Sequence, residues 1–194
     1  MHTSGRTTTR RRALTAAFAL VAMTSVSFAG AAPSAGAAPY CGITWGSLDR
    51  SAMQLASGTI HNVRSGQHAC FDRLVIDIGP GDGTAGYQTG YADRLRGAAS
   101  GELLPRLRGG ISLGILVDVR AHDDNYDPTY QPADPYEIVN VSGYQTFRQV
   151  AFYGTFEGTT QLGIGVRARL PYRVFVLAGP GGGHRFVIDI AHRW

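Results

Sequence analysis

The chain has 194 residues, 44% hydrophobic and only 16% charged, with 26 Gly and 9 Pro. That is the size of one domain, or of one domain behind a processed leader. The apolar fraction excludes a disordered chain, the glycine and proline content argues against long helices or a coiled coil, and outside the N-terminus no apolar run is long and clean enough to cross a bilayer.

The formal net charge of +4 rests on 18 basic residues, all of them arginine. Arg6, Arg10, Arg11 and Arg12 lie before residue 13, where there is no acid, so the remaining 14 arginines balance 14 Asp and Glu. Nucleic acid is therefore not expected as a partner, since phosphate binding needs a surplus of positive charge.

Arg10-Arg11-Arg12 precedes the uncharged apolar segment Ala13–Phe28, and small residues follow, with cleavage expected after Ala31 or, preferably, after Ala37. This is the layout of a secretory signal peptide. Residues 1–37 are read as a cleaved leader, and the product as secreted and extracellular, or held at the wall, with no stable membrane span after cleavage. The arginines are compatible with the general route and with the twin-arginine route.

Cys41 follows Ala38-Pro39-Tyr40 and lacks the context for lipid attachment. Cys41 and Cys70 are the only cysteines of the chain, and an even count in an exported protein reads as one disulfide. It would tie an N-terminal extension, residues 38–59, to a domain over 60–194. Closing a loop of about 30 residues contributes roughly 3–4 kcal/mol on the chain-entropy account. Two cysteines outside CxxC spacing make a poor metal site; neither a metal nor a cofactor is expected.

Ser47–Ser57 carries a weak helical pattern. In Arg73–Ile78, Leu74, Ile76 and Ile78 share one face of a strand, and Arg73, Val75 and Asp77 the other. Gly86–Tyr91 follows as a strand, and Asp93–Ala99 gives a second weak helical signal at the start of an irregular stretch to Gly110. Ile111–His122 reads as a long strand with Leu113, Ile115, Val117 and Val119 on one side.

His122–Pro135 reads as loop. Its Asp123, Asn125, Asp127 and Asp134 have calcium-loop spacing, but Pro128 stands where the sharp turn needs Gly. A polar connection with Asx turns is favoured. The strands Gln149–Phe156 and Thr159–Arg167 are joined by the hairpin turn Glu157-Gly158; Tyr172–Ala178 and Arg185–Ile190 are joined across Gly179–Gly183. The expected fold is all-β, a β-sandwich of mostly antiparallel short strands with little helix.

No GxSxG, HExxH or SxxK motif is present, and the histidines, among them His61, His68, His184 and His192, are scattered. Asp77, Asp118 and Asp189 lie in strands whose alternation pairs them with exposed arginines as ordinary salt bridges. The chain is read as non-catalytic. Tyr87, Tyr91, Tyr126, Tyr130, Tyr136 and Tyr144 lie in or beside loops and edges; an exposed Tyr suits sugar or peptide binding, although a single Tyr more often fills a sandwich rim. One internal echo stands out. Asp72–Gly79 and His184–Ala191 both contain Arg-apolar-Val-Ile-Asp-Ile, placing Arg73/Asp77 and Arg185/Asp189 on outward faces of two strands.

Val63-Arg-Ser-Gly66, His68, Phe71-Asp-Arg-Leu-Val-Ile-Asp-Ile78, Gly86-Tyr87 and Tyr91 resemble the opening of AMIN-like domains of exported actinobacterial proteins. Phe156-Glu-Gly158, Gln161–Val166, Pro171–Leu177 and Phe186–His192 fit the same family, and Cys41–Gly46 looks like its N-terminal extension. The resemblance implies a β-sandwich related to the non-catalytic AMIN modules of cell-wall amidases, which localise their partners by binding peptidoglycan. No amidase domain follows, so the module is expected to stand alone. The expected partner is a cell-wall glycan or an envelope protein, with Arg73, Asp77, Tyr87, Tyr91, Arg185 and Asp189 as ligand-binding candidates. Two alternatives stand beside it: a protein-binding or inhibitor module using a sheet edge or apolar patch, and a cryptic hydrolase.

Overall fold

The computed structural model describes residues 1–2, 39–54, 57–82 and 85–194, so the leader beyond residue 2 and its cleavage points after Ala31 and Ala37 lie outside the described residues. Nine strands run in chain order: β1 (Arg50–Ala52), β2 (Ile60–Gln67), β3 (Phe71–Ile78), β4 (Tyr87–Ala92), β5 (Ile111–Val117), β6 (Phe147–Phe156), β7 (Thr159–Val166), β8 (Tyr172–Ala178) and β9 (His184–Ala191). They form a five-stranded sheet, β1-β4-β5-β7-β6, and a four-stranded sheet, β2-β3-β9-β8. Every strand pair is antiparallel.

The period-2 alternation explains why the sheets pack. Leu74, Ile76 and Ile78 of β3 and Phe186, Ile188 and Ile190 of β9 meet Leu113, Ile115 and Val117 of β5 and Leu162, Ile164 and Val166 of β7, all buried in one core. Each such side chain contributes about 1.5–3 kcal/mol by leaving water. The chain is thus an all-β sandwich. The β6–β7 hairpin turns at Glu157 (φ 47°) and Gly158 (φ 86°), two successive positive-φ positions whose twist matches the flanking strands.

Several expectations are corrected. The helical pattern at Ser47–Ser57 contains the edge strand β1, paired through Arg50–Ala52 with β4. The pattern at Asp93–Ala99 is a turn, closed by the Arg96–Leu103 bridge and by Gly97 N donating to Glu102 O. The strand from Ile111 stops at Val117, where the backbone tightens and Val119 N donates to Val117 O. The segment with His61 and His68, which looks turn-like in the sequence, forms β2 up to Gln67, paired with β3 apart from an irregularity between Ile60 and Asn62.

Three features fasten the sandwich. Cys41 and Cys70 form a disulfide with Cα atoms 6.4 Å apart. The stretch 93–110 folds onto the outer face of the five-stranded sheet, where Leu95 and Leu107 pack on Ala151. Two strand glutamines hold it there. Gln161 accepts from Ala98 N (2.8 Å) and donates to Arg96 O (2.7 Å), while Gln149 accepts from Arg108 N (2.8 Å) and donates to Tyr136 O (2.9 Å).

The third is Asp72, fully buried on β3. Its Oδ2 accepts from the backbone N–H groups of Thr146 (2.6 Å) and Phe147 (3.1 Å), and its Oδ1 lies 3.1 Å from His192 Nε2. One carboxyl group thereby joins β3, the start of β6 and the residue after β9.

Candidate functional site

The outer face of the four-stranded sheet is a grid set by strand register. One row reads Gly66, Arg73, Asp189, Arg173; the next Arg64, Val75, Val187, Phe175; the third Asn62, Asp77, Arg185, Leu177. The echo in the sequence explains the reciprocity. Two copies of Arg-x-x-x-Asp that pair antiparallel place each arginine opposite the other copy's aspartate, with Val75 facing Val187 at the centre. Both valines are buried despite facing outward, boxed in by long neighbours.

Asp189 is the anchor of the face. Its side chain is 0% exposed and binds two arginines. Arg73 Nε and Nη2 donate to its two oxygens at 2.6 and 2.9 Å, and Arg173 Nε donates to Oδ2 at 2.7 Å. The guanidinium groups also stack on aromatic rings: Arg173 lies 5.0 Å from Phe175, 5.4 Å from Phe71 and 5.5 Å from Trp45, and Arg73 lies 5.1 Å from Phe71. Aromatic faces and a shared carboxylate therefore hold both cations in fixed orientation.

At the other end of the grid, Asp77 pairs with Arg64 (2.9 and 3.1 Å) and with Asn62 (3.2 Å), not with Arg185 across from it. That hydrogen bond raises the Arg64 pKa above its ordinary value. Arg185 makes no hydrogen bond or ion pair among the described residues. It lines a hollow of about 430 Å³ together with His61, Arg64, Asp77 and His184. The face thus carries four arginines against two aspartates, with one cation uncommitted.

The structure brings Arg73 and Asp189 together and sets Asp77 and Arg185 side by side, but it places the two tyrosine candidates elsewhere. Tyr91 points into the sandwich: its ring meets Tyr172 edge-on at 5.4 Å and its hydroxyl donates to Leu170 O (2.8 Å). Burial pushes its phenol well above the usual tyrosine range. Tyr87 packs edge-on against Phe186 at 5.1 Å. Asp118, expected to pair with an arginine, instead accepts from Thr159 Oγ1 (2.9 Å), because the strand ends at Val117 and the alternation lapses there. In the acidic loop, Asp123 Oδ1 accepts from Asn125 N (2.8 Å) and Asp127 N (3.0 Å), and Asp134 Oδ1 from Tyr136 N (2.8 Å). These are Asx turns.

A second concavity lies on the opposite sheet. It encloses about 870 Å³ and is lined by Asp49–Gln54, Tyr87–Gly90, Gly114–Leu116, Asp118 and Gln161. Sequence reasoning singled out Tyr87 of this region but not the groove, because its lining is assembled from separate strands, β1, β4, β5 and β7.

Burial also sets an alkaline response. It pushes the phenols of Tyr130 and Tyr153 up to about 12 from an ordinary value of 10. Between those two pH values the folded chain holds protons that the unfolded chain releases. The stability these groups contribute is complete below pH 10 and drains as pH rises through 12. Tyrosinate absorbance is expected to rise in two phases, the later one coinciding with loss of tertiary circular dichroism. A single phase with unperturbed midpoint would contradict this.

Among the described residues no helix is long and apolar enough to cross a membrane. No curated protein and no solved structure matches the chain. A family model described as AMIN-like domain matches residues 58–192.

Proposed function

The chain belongs to the AMIN-like domain family, and from that premise we propose that it is a secreted, non-catalytic module that binds peptidoglycan or another wall glycan through the outer face of its four-stranded sheet. The family gives the coarser part, a cell-wall-related binding module. On this reading residues 1–37 are a cleaved leader and 38–59 an extension stapled by Cys41–Cys70 to the binding domain.

The observation that carries the reading is the oriented guanidinium array. Arg73 and Arg173 are locked by Asp189 and by aromatic rings, so they meet a ligand without losing much side-chain entropy. Arg185 stands in a hollow with no hydrogen-bond or ion-pair partner among the described residues. A guanidinium fork fits a stem-peptide carboxylate in bidentate fashion, and Phe175 with the arginine stems offers sugar rings a mixed apolar and polar surface. Asp77 and Asp189 fix the cations in this picture and do not touch the ligand.

The test is co-sedimentation of the purified chain with cell-wall sacculi. The chain is expected in the pellet at low salt. Arg185→Glu, which reverses the uncommitted charge, is expected to weaken retention about tenfold, the value of one charge-assisted hydrogen bond. Full recovery in the supernatant at low salt would sink the proposal.

A protein-binding reading has one observation in its favour. Beyond the Gly46–Tyr172 bridge, the outer edge of β8 is paired with no strand among the described residues. Capture of a crosslinked envelope protein by a chain that ignores sacculi would favour it.

A further inference from the structure

The groove on the five-stranded sheet has a construction of its own. Gly90 of β4 lies opposite Gly114 of β5, and Gly114 opposite Gly163 of β7, so bare backbone crosses three strands. Leu95 lies over both Gly163 and Gly114, where an added Cβ would stand 2.6 and 2.9 Å from its methyl carbons. Gly90 and Gly114 line the groove together with Leu116. Gln88 faces Leu116 across the strands.

Gly90 of β4 and Gly86, just before the strand, also admit two carboxylates. A Cβ at Gly90 would stand 2.7 Å from Asp49 Oδ1, and one at Gly86 would stand 2.4 Å from Asp118 Oδ2. Asp49 and Asp118 therefore lie over the same strand on either side of Gln88. Four residues separate the two glycines, about 13 Å along an extended strand. Among the described residues the side chains of Asp49, Ser51 and Gln88 have no hydrogen-bond partner, and Asp118 uses only Oδ1. Arg50 also lines the groove, but its guanidinium lies over the Tyr172 ring at 5.5 Å.

These features select a ligand by chemistry. Two carboxylates disfavour an anion. Unused acceptors and an amide call for hydroxyl or amide donors spread over a length, and the floor with Leu116 and Ala52 calls for a flat, weakly apolar face. We infer that this groove is a second binding site, taking a neutral oligosaccharide laid across β4 and β5. The inference does not depend on the arginine face on the other sheet.

The experiment follows backbone amide chemical shifts of the purified chain during titration with a chitooligosaccharide and a cellooligosaccharide, both neutral and free of stem peptides, and with spermine as a cationic control. At least one neutral oligomer is expected to shift Gln88, Gly90 and Gly114. Gly90→Ala would push the Asp49 carboxylate aside and is expected to weaken binding at least about tenfold. The exposed Asp49→Asn, which leaves packing untouched, is expected to weaken it several-fold. Arg185→Glu is expected to leave it unchanged, which separates this site from the wall-binding face. Shifts at the groove with spermine alone, shifts confined to other surfaces, or undiminished binding by Gly90→Ala and Asp49→Asn would each overturn the inference.

Discussion

Asp72→Ala is expected to destabilise the fold by about 3–5 kcal/mol, a large share of the roughly 5–15 kcal/mol that a domain of this size holds. The side chain is fully buried, and its removal strands the N–H groups of Thr146 and Phe147 together with the His192 ring. Unmade bonds to buried donors cost far more than the same bonds at a surface. Asp123 is the contrast. It also accepts two backbone N–H bonds, but in an exposed loop, and Asp123→Ala is expected to cost under about 1 kcal/mol. Urea denaturation with an unchanged slope would measure both. Equal shifts in midpoint would refute the assignment of Asp72 as the central fastening.

The second large effect belongs to Asp189→Ala. With the buried carboxylate gone, Arg73 and Arg173 face one another without a counter-charge. The expected cost is about 2–4 kcal/mol, below that of a fully buried pair because both arginines keep partial access to water. The variant also raises the positive charge of the proposed wall-binding face. If attraction by charge alone governed retention on sacculi, binding would tighten. The orientation argument predicts the opposite: weaker retention with a shallower salt dependence, because two guanidinium groups lose their fixed geometry. Measuring stability and sedimentation on the same preparation separates the two effects.

The strands with clean alternation were legible before any coordinates: β8 has the same limits in both, and β3 and β9 differ only at their ends. Where alternation is weak, pairing decides. In β2 only Ile60 and Val63 are apolar and buried, and the segment is a strand because β3 offers it a ladder. β1 is three residues long, too short for any period to register. The same limit hid the fastenings. Gln149, Gln161 and Asp72 are polar residues in strands, and each is buried by a segment distant in sequence, which strand alternation alone does not reveal. The arginine face was half legible. The echo marked its residues, but the antiparallel register that makes the two copies reciprocal is a property of the sheet. Tyr91 could not be placed from sequence, since an alternating tyrosine fits a wet face and a core equally well.

The reciprocity of β3 and β9 has a consequence for biogenesis. A motif that matches its twin in antiparallel register also matches itself, so a newly made β3 is homotypically complementary to the β3 of another polypeptide. Its proper companion is translated about 110 residues later, an interval of the order of ten seconds at typical ribosomal speeds. During that interval Arg73 of one nascent chain can meet Asp77 of another in the way that it later meets Asp189 of β9. Pairing with β2, its immediate neighbour in the chain, covers one edge of β3 early, while the edge that β9 takes stays open to intermolecular strand exchange until β9 is made.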